Sequence, residues 1–166
     1  MGNFRLGQLG EWVKRANLQD KRLLEVGCGK GEYMDLLTQA GARYVYGIEN
    51  SQSSVDAGKE KGLKVERGYL ATGFTNPWSE SFDAFAIFSF MEHWPDLNGS
   101  LRVLHSCLLE EAIGLIEVPN YEFIVANGLY SEFTVDHIFY FDRQTLRAVL
   151  ELNGFEVVAI DAIWHS

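Results

Sequence analysis

Two hydrophobic periods alternate along the chain. Short apolar runs bounded by Gly, Asn, Asp or Pro read as strands, and between them apolar residues recur every three or four positions, as on one side of a helix. Phe4, Leu6, Leu9, Trp12, Val13 and Ala16 hold helical spacing, which predicts an N-terminal helix within residues 1–20. Arg22–Val26 reads as a first strand, and Tyr33, Met34, Leu36 and Leu37 mark the apolar side of a helix over Glu32–Gln39, stopped by Gly41. Residues 43–48 read as a second strand ending at Glu49, Asn50 and Ser51 cap a helix to about Lys61, and residues 63–66 form a short third strand.

Residues 82–90 are nearly all apolar, the mark of a central parallel strand covered on both faces. Residues 97–109 read as a helix and residues 112–118 as a fifth strand halted at Pro119. Asp142 caps a last helix to about Asn153, and residues 155–160 read as a sixth strand. Strands alternating with helices imply right-handed crossovers, hence one α/β domain over residues 1–166: a doubly wound, mostly parallel sheet with helices on both faces. Residues 119–141 carry no period but many aromatics: Tyr121, Phe123, Tyr130, Phe133, Phe139, Tyr140 and Phe141. They read as filling between strand five and the last helix, or as a lid over a planar or lipid-like ligand. The lid is preferred, since long irregular loops in compact domains tend to be functional.

Charge narrows the partner. Fourteen Lys and Arg against 23 Asp and Glu leave a net charge of −9, which opposes a nucleic-acid backbone and favours a small-molecule substrate. No apolar run reaches membrane-spanning length. The two cysteines, Cys28 and Cys107, form neither a disulfide framework nor a metal-ligand spacing, which suits a reducing cytoplasm and no metal site. His105 and His165 read as surface or terminal residues, and oligomeric state is not legible.

The candidate chemistry gathers at Leu23-Leu24-Glu25-Val26-Gly27-Cys28-Gly29-Lys30-Gly31-Glu32: a strand, a glycine turn and a helix start. A dinucleotide fingerprint starting at Gly27 would need Gly or Ala at position 32; Glu32 stands there, where it would oppose a pyrophosphate. Cys28 is a small residue tolerated in the tight loop. Glu49, at the end of strand two, is placed to accept hydrogen bonds from both hydroxyls of a ribose. A Phe82-Asp83 strand opening and the loop Glu92-His93-Trp94-Pro95-Asp96 complete the set.

The Gly-x-Gly-x-Gly loop led by Glu25, the strand-end Glu49 and the Glu-His-x-x-Asp loop resemble the class I S-adenosylmethionine-dependent methyltransferases. They are similar in particular to the ubiquinone-biosynthesis-type O-methyltransferases, over about residues 20–160. The resemblance implies a Rossmann-like fold, S-adenosylmethionine as cofactor and methyl transfer to a small molecule, with oxygen the first choice of acceptor atom, then carbon or nitrogen. It places Gly27, Gly29 and Gly31 where they admit the methionyl and ribose parts, with Cys28 of the same loop beside the cofactor and Glu25 supporting the loop. Glu49 and its neighbour Asn50 fall at the ribose, Tyr33 near the cofactor, and Ser89 and Phe90 at the methionyl end through backbone. His93 would face substrate, and His137, followed by aromatics in the covering segment, has a similar place; both are candidates for a base. The bland reading of Glu92 and His93 is that they cap the next helix or hold the loop.

Two departures stand out. Relatives usually carry an acidic residue after strand three for the adenine amino group; here Arg67-Gly68-Tyr69-Leu70-Ala71 stands there, which leaves adenine to backbone and to Leu70. The family sheet also ends in an antiparallel seventh strand, so either residues 162–165 begin it or the sheet keeps an open edge. A catalytically silent module of the same fold, and an NAD-dependent oxidoreductase disfavoured by Glu32, are the alternatives.

Overall fold

The computed structural model describes residues 2–163, with side chains from Phe4 onward. Five parallel strands, β1 (Arg22–Val26), β2 (Tyr44–Glu49), β3 (Lys64–Arg67), β4 (Phe82–Phe88) and β5 (Leu108–Glu117), form one sheet in the order β3-β2-β1-β4-β5. The chain winds outward from β1 through β2 to β3, then returns to the other side of β1 for β4 and β5. The carboxyl ends of β1, β2 and β4 therefore border the crevice at which open α/β sheets take ligands.

Among the described residues six helices accompany the sheet: α1 (Gly2–Arg15), α2 (Glu32–Gln39), α3 (Gln52–Glu60), α4 (Leu97–Ser106), α5 (Tyr121–Ala126) and α6 (Arg143–Leu152). Strand alternation sorts the core into two layers. Leu23 meets Leu9 and Val13 of α1, Met34 and Leu37 of α2 and Val55 of α3 on one face. Leu24 and Val26 join Leu101 and Leu104 of α4 and Leu146 and Leu150 of α6 on the other. The β4 run Ala84–Phe88 is buried throughout.

The predicted helix starts are present as side-chain caps. Ser51 accepts from the Ser54 amide, and Asp96 accepts from the Gly99 amide at 2.9 Å. Asp142 and Thr145 form a reciprocal capping box for α6, with Thr145 N donating to Asp142 Oδ1 at 2.7 Å and Asp142 N donating to Thr145 Oγ1 at 3.0 Å.

Three expectations are corrected. Residues 155–160 are not a strand; Arg143 Nη1 donates to the Ile160 carbonyl at 2.6 Å and Arg147 Nη1 to the Val157 carbonyl at 2.9 Å, so α6 holds the segment by its backbone oxygens. Among the described residues β5 is accordingly the sheet edge, with Leu109 and Ile113 exposed. The helix expected over 97–109 ends at Ser106, and the pairing jumps from Phe82 opposite Leu108 to Ala84 opposite Ile113, a bulge that lets β5 start early. Residues 119–141 are partly ordered, with α5 capped by Asn120 and a 3-10 turn at Tyr130–Glu132. The possible start of a seventh strand at 162–165 reaches beyond the described residues, as does His165. No helix among the described residues is long and apolar enough to cross a membrane.

Candidate functional site

The glycine loop leaves β1 and enters α2 with Gly27, Gly29 and Gly31 at φ +74°, +54° and +85°, backbone that side chains disfavour. What a Cβ would meet differs at each. At Gly27 it would enter the ring of Phe90, and at Gly31 the side chain of Leu63, so these two glycines make room for the chain itself. At Gly29 only the Glu32 carboxylate lies within 4 Å, at 3.8 Å, so of the three this is the one facing open space. Of the three glycines expected at the cofactor, Gly29 is thus the one whose missing side chain leaves space that the chain itself does not fill.

Glu49 ties this loop to the end of β2. Its Oε2 accepts from the Gly29 amide at 3.0 Å and its Oε1 from the Ser51 amide at 2.7 Å. Each carboxylate oxygen keeps a further lone pair for another donor. Glu25, only 2% exposed, has an Oε2 with no hydrogen-bond partner. Burial, then the nearby Glu32, Asp35 and Glu49 charges, hold its pKa well above the ordinary carboxylate range. The loop amide is thus held by Glu49, and the buried Glu25 Oε2 is an acceptor at the base of the loop.

A cleft of about 580 Å³ opens beside Glu49. Asn50 and Ser51 after β2, Tyr69 after β3, and Phe90, His93, Trp94 and Pro95 after β4 complete its walls. Three expected cofactor residues turn elsewhere. The Cys28 side chain is buried against the Cα of Gly47, and burial raises its thiol pKa. Leu70 is 2% exposed in the core, with its carbonyl accepting from Ser100 Oγ at 2.6 Å. Tyr33 stacks on Phe88 at 4.1 Å between ring centroids. Ser89 is exposed and, at φ +46°, sits in left-handed backbone; its amide donates to the Glu117 carbonyl at 2.9 Å. A non-glycine residue held there is local strain at the mouth of β4.

His93 and His137 meet although 43 residues separate His93 from Asp136. His93 Nδ1 lies 2.8 Å from the Asp136 carbonyl, and the two imidazoles cross edge to face at 4.7 Å. A carbonyl only accepts, so Nδ1 carries the proton and Nε2 holds the lone pair in neutral His93. The backbone carbonyl of Glu92 accepts from the Ile138 and Phe139 amides, at 2.9 and 3.1 Å, which clamps the aromatic segment onto the 3-10 turn Met91–His93. The Glu92 carboxylate is buried with neither oxygen partnered, and burial raises its pKa. Ligand atoms of Glu92, His93 and His137 lie within 4.8 Å of one another, a donor set suited to a divalent ion that no spacing in the sequence displays.

Sequence reasoning missed Arg5. It is 6% exposed, and its Nη2 donates to Glu117 Oε2 at 2.6 Å and to the Tyr33 hydroxyl at 3.1 Å, joining α1, α2 and the end of β5. The signal was present: Arg5 stands four and eight residues before the buried Leu9 and Val13, on the same helix face.

A family of sequences described as "Methyltransferase domain" matches residues 1–160. The ubiquinone biosynthesis O-methyltransferase of Bordetella avium is 33% identical over 99 residues, which cover 55% of this chain and 41% of that protein. A SAM-dependent methyltransferase from Archaeoglobus fulgidus superposes with a TM-score of 0.73 at 20% identity, over 94% of this chain and 70% of that one. The magnesium protoporphyrin IX methyltransferase of Synechocystis PCC 6803, solved with bound SAH, gives 0.67 at 19% identity over 95% of this chain and 75% of that one. The chain thus spans about two-fifths of the curated relative's length while matching most of each solved structure.

Proposed function

This chain belongs to the class I S-adenosylmethionine-dependent methyltransferase family, and we propose that its cleft binds S-adenosylmethionine and presents the methyl group to a small-molecule acceptor, with oxygen as the methylated atom. The observation that carries the reading is Glu49: a strand-end carboxylate fixed by two backbone amides on the cleft wall, with lone pairs left for a ribose diol.

The residues present fit that cofactor. Gly29 leaves the loop open on the ligand side. Glu25 Oε2 is a buried acceptor at the base of the loop, suited to a cationic or N–H donor such as an α-ammonium. When bound, the cofactor supplies a methyl group on a sulfonium, already a good leaving group. The protein's task is therefore alignment and exclusion of water more than proton transfer. Arg5 holds α1 against the ends of α2 and β5, and Glu92 clamps the aromatic segment by its carbonyl. His93 borders the cleft with Nε2 unprotonated in its neutral form, so it can accept the proton of a hydroxyl acceptor. His137, in edge contact with it, shapes the same wall.

The test is release of S-adenosylhomocysteine from S-adenosylmethionine across a panel of phenols, amines and activated carbon acids. Turnover confined to the phenols supports the reading. Turnover on amines or carbon acids alone moves the acceptor atom, and tight cofactor binding with no turnover on any acceptor favours a silent module. His93→Ala should lower turnover of a phenol by about 100-fold or more and leave cofactor affinity unchanged. Equal rates in the two proteins remove His93 as base.

A further inference from the structure

The purine end of this cleft differs from what the sequence alone suggested. β2 and β3 run side by side, with Glu49 opposite Arg67, and the Gly68 amide donates to the Glu49 carbonyl at 3.0 Å. A base attached to a ribose held at Glu49 therefore reaches the turn that starts at Gly68, and Tyr69 is the residue of that turn lining the cleft. Leu70 cannot serve, because its side chain lies in the core.

We propose that the ring of Tyr69 is the platform on which the cofactor's purine packs, so that the site selects a purine by its ring face and not by its 6-amino group. The inference rests on the cofactor reading above. Three observations carry it. The Tyr69 hydroxyl is buried and has no hydrogen-bond partner, so the ring, not the hydroxyl, borders the cleft. The turn is held rigid, with the Ala71 amide donating to the Tyr69 carbonyl at 2.9 Å and the buried Ser100 hydroxyl donating to the next carbonyl, that of Leu70, at 2.6 Å. Among the described residues lining the cleft, Glu49 is the one carboxylate, and the lone pairs it keeps beyond the Gly29 and Ser51 amides are those the cofactor reading gives to the ribose diol. No carboxylate of the cleft is left to accept from a purine amino group, whereas an aromatic face binds any purine.

The test is calorimetric titration of the unmodified chain, Tyr69→Phe and Tyr69→Ala with S-adenosylhomocysteine and with its 6-oxo counterpart, S-inosylhomocysteine. The phenylalanine variant should bind S-adenosylhomocysteine within about twofold of the unmodified chain, because it keeps the ring and removes only an unpartnered hydroxyl. The alanine variant should lose about 5- to 150-fold, the range that base–aromatic stacking commands. The unmodified chain should bind the 6-oxo compound within about threefold of the adenosyl one. Normal binding by Tyr69→Ala, a loss in Tyr69→Phe equal to that in Tyr69→Ala, or rejection of the 6-oxo compound by more than about tenfold overturns the inference while the cofactor reading stands. Failure of the unmodified chain to bind either compound removes both. Should Tyr69→Ala not fold, the phenylalanine variant and the 6-oxo compound decide the matter without it.

Discussion

Glu25 illustrates how one buried atom couples the site to stability. Its pKa in the folded chain lies well above the ordinary carboxylate range because burial disfavours the charge. The sign follows from proton linkage. Between the unfolded value, about 4.3, and the raised folded value, the folded state binds more protons than the unfolded one, so this group's contribution falls as pH rises. It is fully present below the unfolded pKa and is lost as pH climbs through the folded one. Glu25→Gln, which cannot ionise, should therefore be more stable than the parent at pH 8, with the difference shrinking towards pH 5. Denaturant melts at both pH values check this; a variant equally less stable at both would show that the carboxylate is held by a partner in its charged form. Arg5 makes the complementary case. Arg5→Met keeps the stem but leaves Glu117 without its guanidinium in a poorly hydrated position, at a cost of about 2 kcal/mol. An unchanged denaturation midpoint would mean that the ion pair does not hold α1.

At the scale of elements, local sequence chemistry decided most outcomes. The α4 cap is a case in point: Asp96→Ala should cost about 1 kcal/mol by stranding the Gly99 amide, a fall of roughly 2–4 °C in Tm for a domain of this size. A melt superimposable on the parent's would show the cap to be idle. The glycine loop, the run of β4 and the caps of α3 and α6 were legible because each rests on residues adjacent in sequence. Residues 155–160 were misread because their alternating Phe155, Val157 pattern suits a strand, while pairing needs a neighbour that sequence pattern cannot supply. Arg143 and Arg147 take the segment's carbonyls instead. Leu70 and Cys28 were misplaced for a related reason. Which way a loop side chain turns is set by packing from elsewhere, here Ser100 on α4 and Gly47 on β2.

For the whole molecule, topology does what no single motif does. Strand order brings residues 25, 29, 49, 69, 90 and 93 to one end of the sheet, and the return of the chain after β5 carries His137 onto His93. The place of Glu49 at the end of β2 was legible from spacing; the meeting of Glu92, His93 and His137 was not, because it depends on the fold of the segment between. The net charge of −9 is spread over the chain and leaves the cleft to be defined by a few placed groups. The proposal that the cofactor binds at Glu49 is what the rest depends on. The deciding measurement is calorimetric titration of S-adenosylhomocysteine, with NADH in parallel, into the unmodified chain and Glu49→Ala. The fold and site predict one S-adenosylhomocysteine per chain, affinity lower by about tenfold or more in the variant as the ribose hydrogen bonds to a charged group are lost, and no uptake of NADH. Equal binding by both proteins, or uptake of NADH in place of S-adenosylhomocysteine, would contradict it.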